Sequence, residues 1–363
     1  MKPKALYVFS IIFILSCFAK NLHSDDSLKV KKSGVVFLPI FGYAPETKLE
    51  LGARMSYYFR RPKTLLTSRP STIAPRISYT QNKQIYAQLA ADLYFQNEKY
   101  HLIGDLSYYK YPDVFYGIGN NISTDDEEDY TPTKTEFLIS FQRRIPPGFN
   151  IGAQYEYRHL KVTEIEPGGL LATGNIFGSD GGLSSGLSVL MNWDTRDNIF
   201  YPLSGSYYQL TTGVFDSWLG SDYTFNLYQI DLRNYFSFFP KHALALQGVL
   251  NVTSGDPPFN RLMLLGSDKI LRGYHNSLFR DNMMWAFQSE YRLPVWWRFG
   301  MVGFLGVGNV HSSLDEMSFS KSKYSAGFGI RYFLVPKEGI NIRLDIAFGE
   351  ESSGVYLYFL EAF

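Results

Sequence analysis

Residues Ile340 to Phe348 read INIRLDIAF. Ile340, Ile342, Leu344, Ile346 and Phe348 fall on one face, with Asn341, Arg343, Asp345 and Ala347 on the other. A period of two is the signature of a strand, and ionised groups on its polar face require water or charged partners there. Lys323 to Phe333 repeats the pattern: Tyr324, Ala326, Phe328, Ile330 and Tyr332 oppose Lys323, Ser325, Gly327, Gly329 and Arg331. In Met284 to Leu293, Trp285, Phe287, Tyr291 and Leu293 oppose Gln288, Glu290 and Arg292. A sandwich with one wet face would also alternate, but its strands run to about five or six residues. Many segments here reach ten or so, the length that crosses a bilayer at a tilt.

About sixteen such segments can be counted, an even number as in bacterial barrels. They start near Ser33, Lys48, Ser71, Lys83, Glu98, Thr131, Phe149, Leu183, Leu203, Asp222, His242, Asn282, Arg298, Lys321, Gly339 and Gly354. With both termini periplasmic, the inward connections are short: QNE, PPG, FPK, PVWW and PKEG. The long connections, Tyr111 to Tyr130, Lys161 to Gly182 and Ser254 to Asp281, all point outward. The one exception is the basic inward stretch Arg61 to Pro70. The expected fold is therefore an all-β, transmembrane antiparallel β-barrel in a bacterial outer membrane.

Composition agrees. Aromatic residues make up 17% of the chain, with 27 Tyr and 29 Phe, which suits girdles at the two membrane surfaces. Formal net charge is +1, which gives no electrostatic reason to expect a nucleic-acid partner. Lys2 and Lys4 precede an apolar run from Ala5 to Phe18, shorter than a comfortable membrane helix. Residues 1–24 read as an export signal, with cuts after Ala19 or Ser24. Residues 25–32 read as a short periplasmic segment and residues 33–363 as the barrel. The single cysteine, Cys17, lies in the signal, where Ile14-Leu15-Ser16-Cys17 loosely matches a lipoprotein cleavage site as the alternative.

Rival chemistry is thin. Gly182-Leu-Ser-Ser-Gly186 has the spacing of a serine-hydrolase elbow but opens a strand, where that motif needs a turn into a helix. Asp125-Asp-Glu-Glu-Asp129 could hold a cation weakly and reads as a solvated outer loop. No histidine pair has ligand spacing, and no phosphate-binding glycine loop occurs. No enzyme activity, metal or cofactor is expected.

Several stretches carry a resemblance. Trp193-Asp-Thr-Arg-Asp-Asn198 followed by Tyr201-Pro-Leu-Ser-Gly-Ser206 resembles the strand-turn-strand signature of the BamA/TamA family of outer-membrane assembly barrels, the bacterial surface antigens. Asp194, Arg196, Asp197, Pro202 and Gly205 are its matching positions. Leu271-Arg-Gly-Tyr274 matches the family's motif at the tip of the sixth outer loop, where the strand count places it as well. Gly34 to Arg54 resembles the first hairpin, and Tyr324 to Tyr332 with Ile340 to Ala347 the closing strands.

The resemblance implies that this loop folds into the lumen and that Arg272 meets acidic groups on the wall. Glu290 matches the first acidic position. Gly306 stands at the second, so Arg272 is expected to keep one carboxylate and lose the other. Gly273 permits a tight bend, and Tyr274 can pack its ring with its hydroxyl paired. In the seam between first and last strands, Pro39 and Gly42 weaken the first. Phe359 and Phe363 are expected on the lipid side with Glu361, the terminal aromatic resembling the family's assembly signal. Leu360 replaces a strand-kinking glycine.

Family members usually carry periplasmic POTRA modules, and too few residues precede the first strand here to hold one. Any such part would come from a separate periplasmic partner or a homo-oligomer, with outer-membrane lipid as the surrounding partner. The expected function is translocation or membrane insertion of protein or lipid. The alternative is a passive pore or structural surface antigen.

Overall fold

The computed structural model describes residues 33–44, 48–60, 69–275, 278–336, 339–350 and 352–363. The expected signal, Cys17, the segment 25–32 and most of the basic connection 61–70 lie outside the described residues. Among the described residues nineteen strands follow one another. The first nine are β1 (Ser33–Ala44), β2 (Lys48–Phe59), β3 (Ser71–Thr80), β4 (Ile85–Phe95), β5 (Tyr100–Lys110), β6 (Asp113–Phe115), β7 (Glu128–Ile145), β8 (Phe149–Ile165) and β9 (Gly181–Asp194). Next come β10 (Gly205–Phe215), β11 (Phe225–Phe236), β12 (Ala243–Gly255), β13 (Met263–Leu265), β14 (Phe279–Asp281) and β15 (Met283–Trp296). The last four are β16 (Phe299–His311), β17 (Lys323–Val335), β18 (Ile340–Phe348) and β19 (Ser353–Phe359).

One antiparallel sheet takes every strand except β13 and β14, which form a small ribbon within the connection from β12 to β15. The short β6 follows β5 along the edge of β7. Setting those three aside leaves the sixteen long strands that the alternation predicts, each starting within three residues of its expected position.

The alternation sets the two faces of the wall. Phe287, Leu305 and Phe328 stand 53%, 63% and 51% exposed on the outside, where lipid would cover them. Glu290, Arg292, Arg331 and Asp345, pointing the other way, are buried. Trp296, Trp297, Phe299 and Tyr332 cluster around the turn between β15 and β16, a girdle where amphipathic rings suit the headgroup level.

The ends of the sheet are unequal. Pairing of β1 with β2 runs through Pro39 opposite Ala53 and Gly42 opposite Glu50. Pairing of β19 with β18 is short, from Phe348–Ser353 to Ile342–Phe359. Among the described residues β1 and β19 show no pairing with each other.

The expected path of the chain's last residues is overturned. The final strand ends at Phe359, because Leu360 takes φ +67°; its N–H still donates to Asn341 O at 2.9 Å, in register with β18, and the chain turns after that bond. The residue that replaces the kinking glycine thus makes the kink itself, at the strain a side chain incurs in that region. As a result Glu361 and Phe363 leave the lipid side and are buried. Phe363 packs with Ala362, Tyr235 and Ala245.

Candidate functional site: an arginine between two wall carboxylates

Within the connection from β12 to β15, Leu271-Arg272-Gly273-Tyr274 lies against side chains and backbone of β15 to β19. Two backbone positions shape its tip. Leu271 has φ +50° and Gly273 φ +113°. A Cβ on Gly273 would come within 2.9 Å of the backbone nitrogen of Gly349 and of the carbonyl carbon of Phe348, so the chains touch main chain to main chain. The Gly273 N–H donates to Tyr356 Oη at 2.9 Å. Tyr274 Oη donates to Tyr324 O at 2.8 Å and accepts from Glu350 N at 3.0 Å, so its hydroxyl is paired twice while its ring packs edge-on to Phe279.

That bend delivers Arg272, 1% exposed, between two fully buried carboxylates. Its Nη2 donates to Glu290 Oε2 at 2.8 Å and its Nη1 to Asp345 Oδ2 at 2.6 Å. The guanidinium centre sits 3.5 Å from the middle of the Phe304 ring. The expected loss of the second carboxylate is therefore corrected. Gly306 carries no acid, but Asp345, two strands further along the wall, supplies one. The space above Gly306 is taken by the loop, since a Cβ there would lie 3.0 Å from Leu271 Cδ1.

The carboxylates are shared. Glu290 Oε1 also accepts from Arg292 Nε at 2.9 Å, and Arg331 Nη2 lies 3.6 Å from Glu290 Oε2. Asp345 also accepts from Arg331 Nη1, and from Arg343 Nη1 at 3.1 Å. Arg343 reaches back to Asp268 of the loop at 2.8 Å, and Arg331 Nε reaches Glu361 at 2.8 Å. Arg272, Arg292, Arg331 and Arg343 thus face Glu290, Asp345, Glu361 and Asp268. Such a cluster avoids the cost of burying unpaired ions by balancing them within hydrogen-bond distance. Alternation showed Arg292, Arg331, Arg343 and Asp345 to be inward. That they meet could not be read from any one strand, because the contacts join three strands, the loop and the residues after β19.

The strand-turn-strand motif belongs to the same region. Asp194 accepts from Arg196 through both carboxylate oxygens, at 2.9 and 2.8 Å. Asp197 Oδ1 accepts from Leu203 N and Ser204 N at 3.0 and 3.2 Å. Gly205, at φ +98°, lies so close to Thr195 O that a Cβ would come within 2.3 Å of it. These bonds fold the turn so that Pro202 O accepts from Arg292 Nη1 at 3.1 Å.

At its other end the connection meets β8 and two other long connections. Arg261 is buried, pairs with Glu156 of β8, and stacks 4.6 Å from the Phe215 ring. Phe259 packs with Phe115, Tyr130 and Leu171 from the two other long outer connections, and Gly119 N donates to Arg280 O at 2.8 Å. The other sequence candidates serve structure. Ser184 and Ser185 lie within β9, with no turn for a nucleophile. Within the acidic run, Glu128 is buried and accepts from Leu171 N at 3.0 Å. Among the described residues no three His, Cys, Asp or Glu side chains are grouped to hold a metal.

This architecture has known counterparts. The Omp85 superfamily domain matches residues 68–351. The structure of BamA from Haemophilus ducreyi lacking POTRA domains 1–3 is similar over 90% of this chain and 69% of that one, with a TM-score of 0.61 at 15% identity. CdiB from Acinetobacter baumannii is similar over 91% of this chain and 58% of its own, with a TM-score of 0.57 at 10% identity. CdiB from Escherichia coli gives 90%, 61%, 0.58 and 10% respectively. The chain therefore spans less than two thirds of either CdiB. No curated protein sequence matches it significantly. With the family domain extending over most of the sequence, this bacterial-type outer-membrane β-barrel chain belongs to the Omp85 superfamily.

Proposed function

We propose that the chain is a gated barrel that moves polypeptide or lipid into or across the outer membrane, and that connection 256–282 closes its lumen. The observation that carries this reading is Arg272, buried between Glu290 and Asp345 at the tip of a lumenal loop. A guanidinium desolvated this fully is stable only while both carboxylates stay in place, so the contact has a closed state that can be lost as a unit. Among the described residues β1 and β19 do not pair with each other, and a seam there would give a substrate a lateral way into the bilayer. The family likeness agrees with an assembly or translocation role, and the reading needs no catalytic group. The reading also takes a separate periplasmic partner to act with the barrel and outer-membrane lipid to surround its wall.

Single-channel recording in planar bilayers tests this. The wild-type barrel is expected to stay mostly closed and Arg272→Ala to open frequently. A wild-type barrel that conducts steadily, unchanged by Arg272→Ala, is a passive pore and overturns the gate.

A further inference from the structure

The turn inward at Leu360 carries Glu361, Ala362 and Phe363 into the barrel, and the residues that receive them are those that hold the loop. Arg331 donates through Nε to Glu361 Oε2 at 2.8 Å and through Nη1 to Asp345, the carboxylate that takes Arg272. Arg292 donates through Nη2 to Phe363 O at 2.7 Å and through Nε to Glu290, the other carboxylate on Arg272. Asn341 Nδ2 adds a bond to Glu361 Oε1 at 2.9 Å. Segment 360–363 and loop tip 271–274 thus never need to touch. Each is tied to the other through two arginines and two carboxylates that are all buried.

We propose that Glu361 is a positioning residue that couples the seam to the lumenal loop. With Glu361 on Arg331, the end of β19 is drawn into the lumen and cannot extend along the seam. Arg331 is at the same time neutralised and oriented, which leaves Asp345 free to bind Arg272. If the segment swings out, Arg331 loses a carboxylate and draws harder on Asp345 and Glu290, in competition with Arg272. Loss of Arg272 leaves Asp345 and Glu290 free to bind Arg331 and Arg292 more tightly, in competition with the segment. Opening at either place therefore loosens the other, and the linkage must be equal in both directions.

Reciprocity gives the test, performed on the whole chain in outer-membrane vesicles with two cysteine reporters, one at a half-buried position and one at a buried position. One is Ile270→Cys on the loop; the other is Ala362→Cys in the inward segment. Glu361→Gln is expected to raise maleimide labelling at position 270 by about tenfold, within the range of about 5- to 150-fold usual for coupled sites. Arg272→Ala should raise labelling at position 362 by a similar factor. Glu361→Asp should restore most of the protection at position 270, because it keeps the charge. In an Arg272→Ala background Glu361→Gln should add nothing at position 270.

A purely local role would expose position 362 in Glu361→Gln and leave position 270 unchanged, which overturns the coupling. Should Glu361→Gln not assemble, the Arg272→Ala arm decides alone: unchanged labelling at position 362 overturns it. The inference rests on the gate reading, and the two fail differently. If Arg272→Ala does not expose position 270, the gate itself is wrong; if it does and Glu361→Gln does not, only the coupling is.

Discussion

Arg272 sits where a glycine-flanked cation would ordinarily mark an exposed turn, and its environment is the reverse of one. Removing one partner from a buried ion cluster typically costs about 3–5 kcal/mol, since the remaining charge stays desolvated. Glu290 and Asp345 each contact three of the arginines, so neutralising either should weaken the loop's hold to a similar degree. Glu290→Gln and Asp345→Asn are expected to raise protease cleavage within 256–282 by comparable factors. If Asp345→Asn leaves cleavage at the wild-type rate, one carboxylate suffices, as the sequence alone suggested. Gly273→Ala should act through shape. It combines φ +113° with a Cβ 2.9 Å from the backbone at Phe348 and Gly349. Strain of that kind costs on the order of 1–3 kcal/mol, so the loop should loosen although every charge is retained.

At the scale of strands and loops, what the sequence disclosed and what it hid divide along a physical line. A strand writes its two faces into every second residue, which is why the sixteen starts and the inward set Glu290, Arg292, Arg331, Arg343 and Asp345 were legible. Partnership between strands leaves no such trace. Asp345 was visible as an inward acid and invisible as the second partner of Arg272, because the matching family position pointed to Gly306. The inward turn at Leu360 was missed for a related reason. Continuing the alternation through residue 363 assumes that the strand continues, and only a backbone with positive φ shows that it stops. Connection length also carries an expectation about sidedness, and that can be checked directly. With Cys17 as the chain's single native cysteine, Asp125→Cys and Ala172→Cys on long outer connections should react with an impermeant maleimide on intact cells. Gln96→Cys, in a tight turn at the other end, should react only after permeabilisation. The opposite result would invert the barrel.

For the whole molecule the decisive question is whether the wall opens. The seven residues of β19 span about 24 Å along the strand at about 3.4 Å each, which a tilt of about 40° reduces to roughly 18 Å of height. The apolar band of such barrels is about 25 Å tall, so this edge does not cover it. Its neighbour across the seam, β1, is twelve residues long and carries Pro39, which has no N–H to offer a ladder. A seam between a short strand and a weakened one should open more readily than β7 with β8, whose paired strands run to 18 and 17 residues. Cysteine pairs scanned along Val35–Pro39 and Val355–Tyr358 should find a position where oxidation joins the two edges. In that locked barrel, translocation or insertion in cells should stop and return on reduction, while any ion conductance through the lumen persists. Full function in the locked state would mean that substrate does not leave sideways, and the axial lumen, with connection 256–282 displaced, would be the route instead.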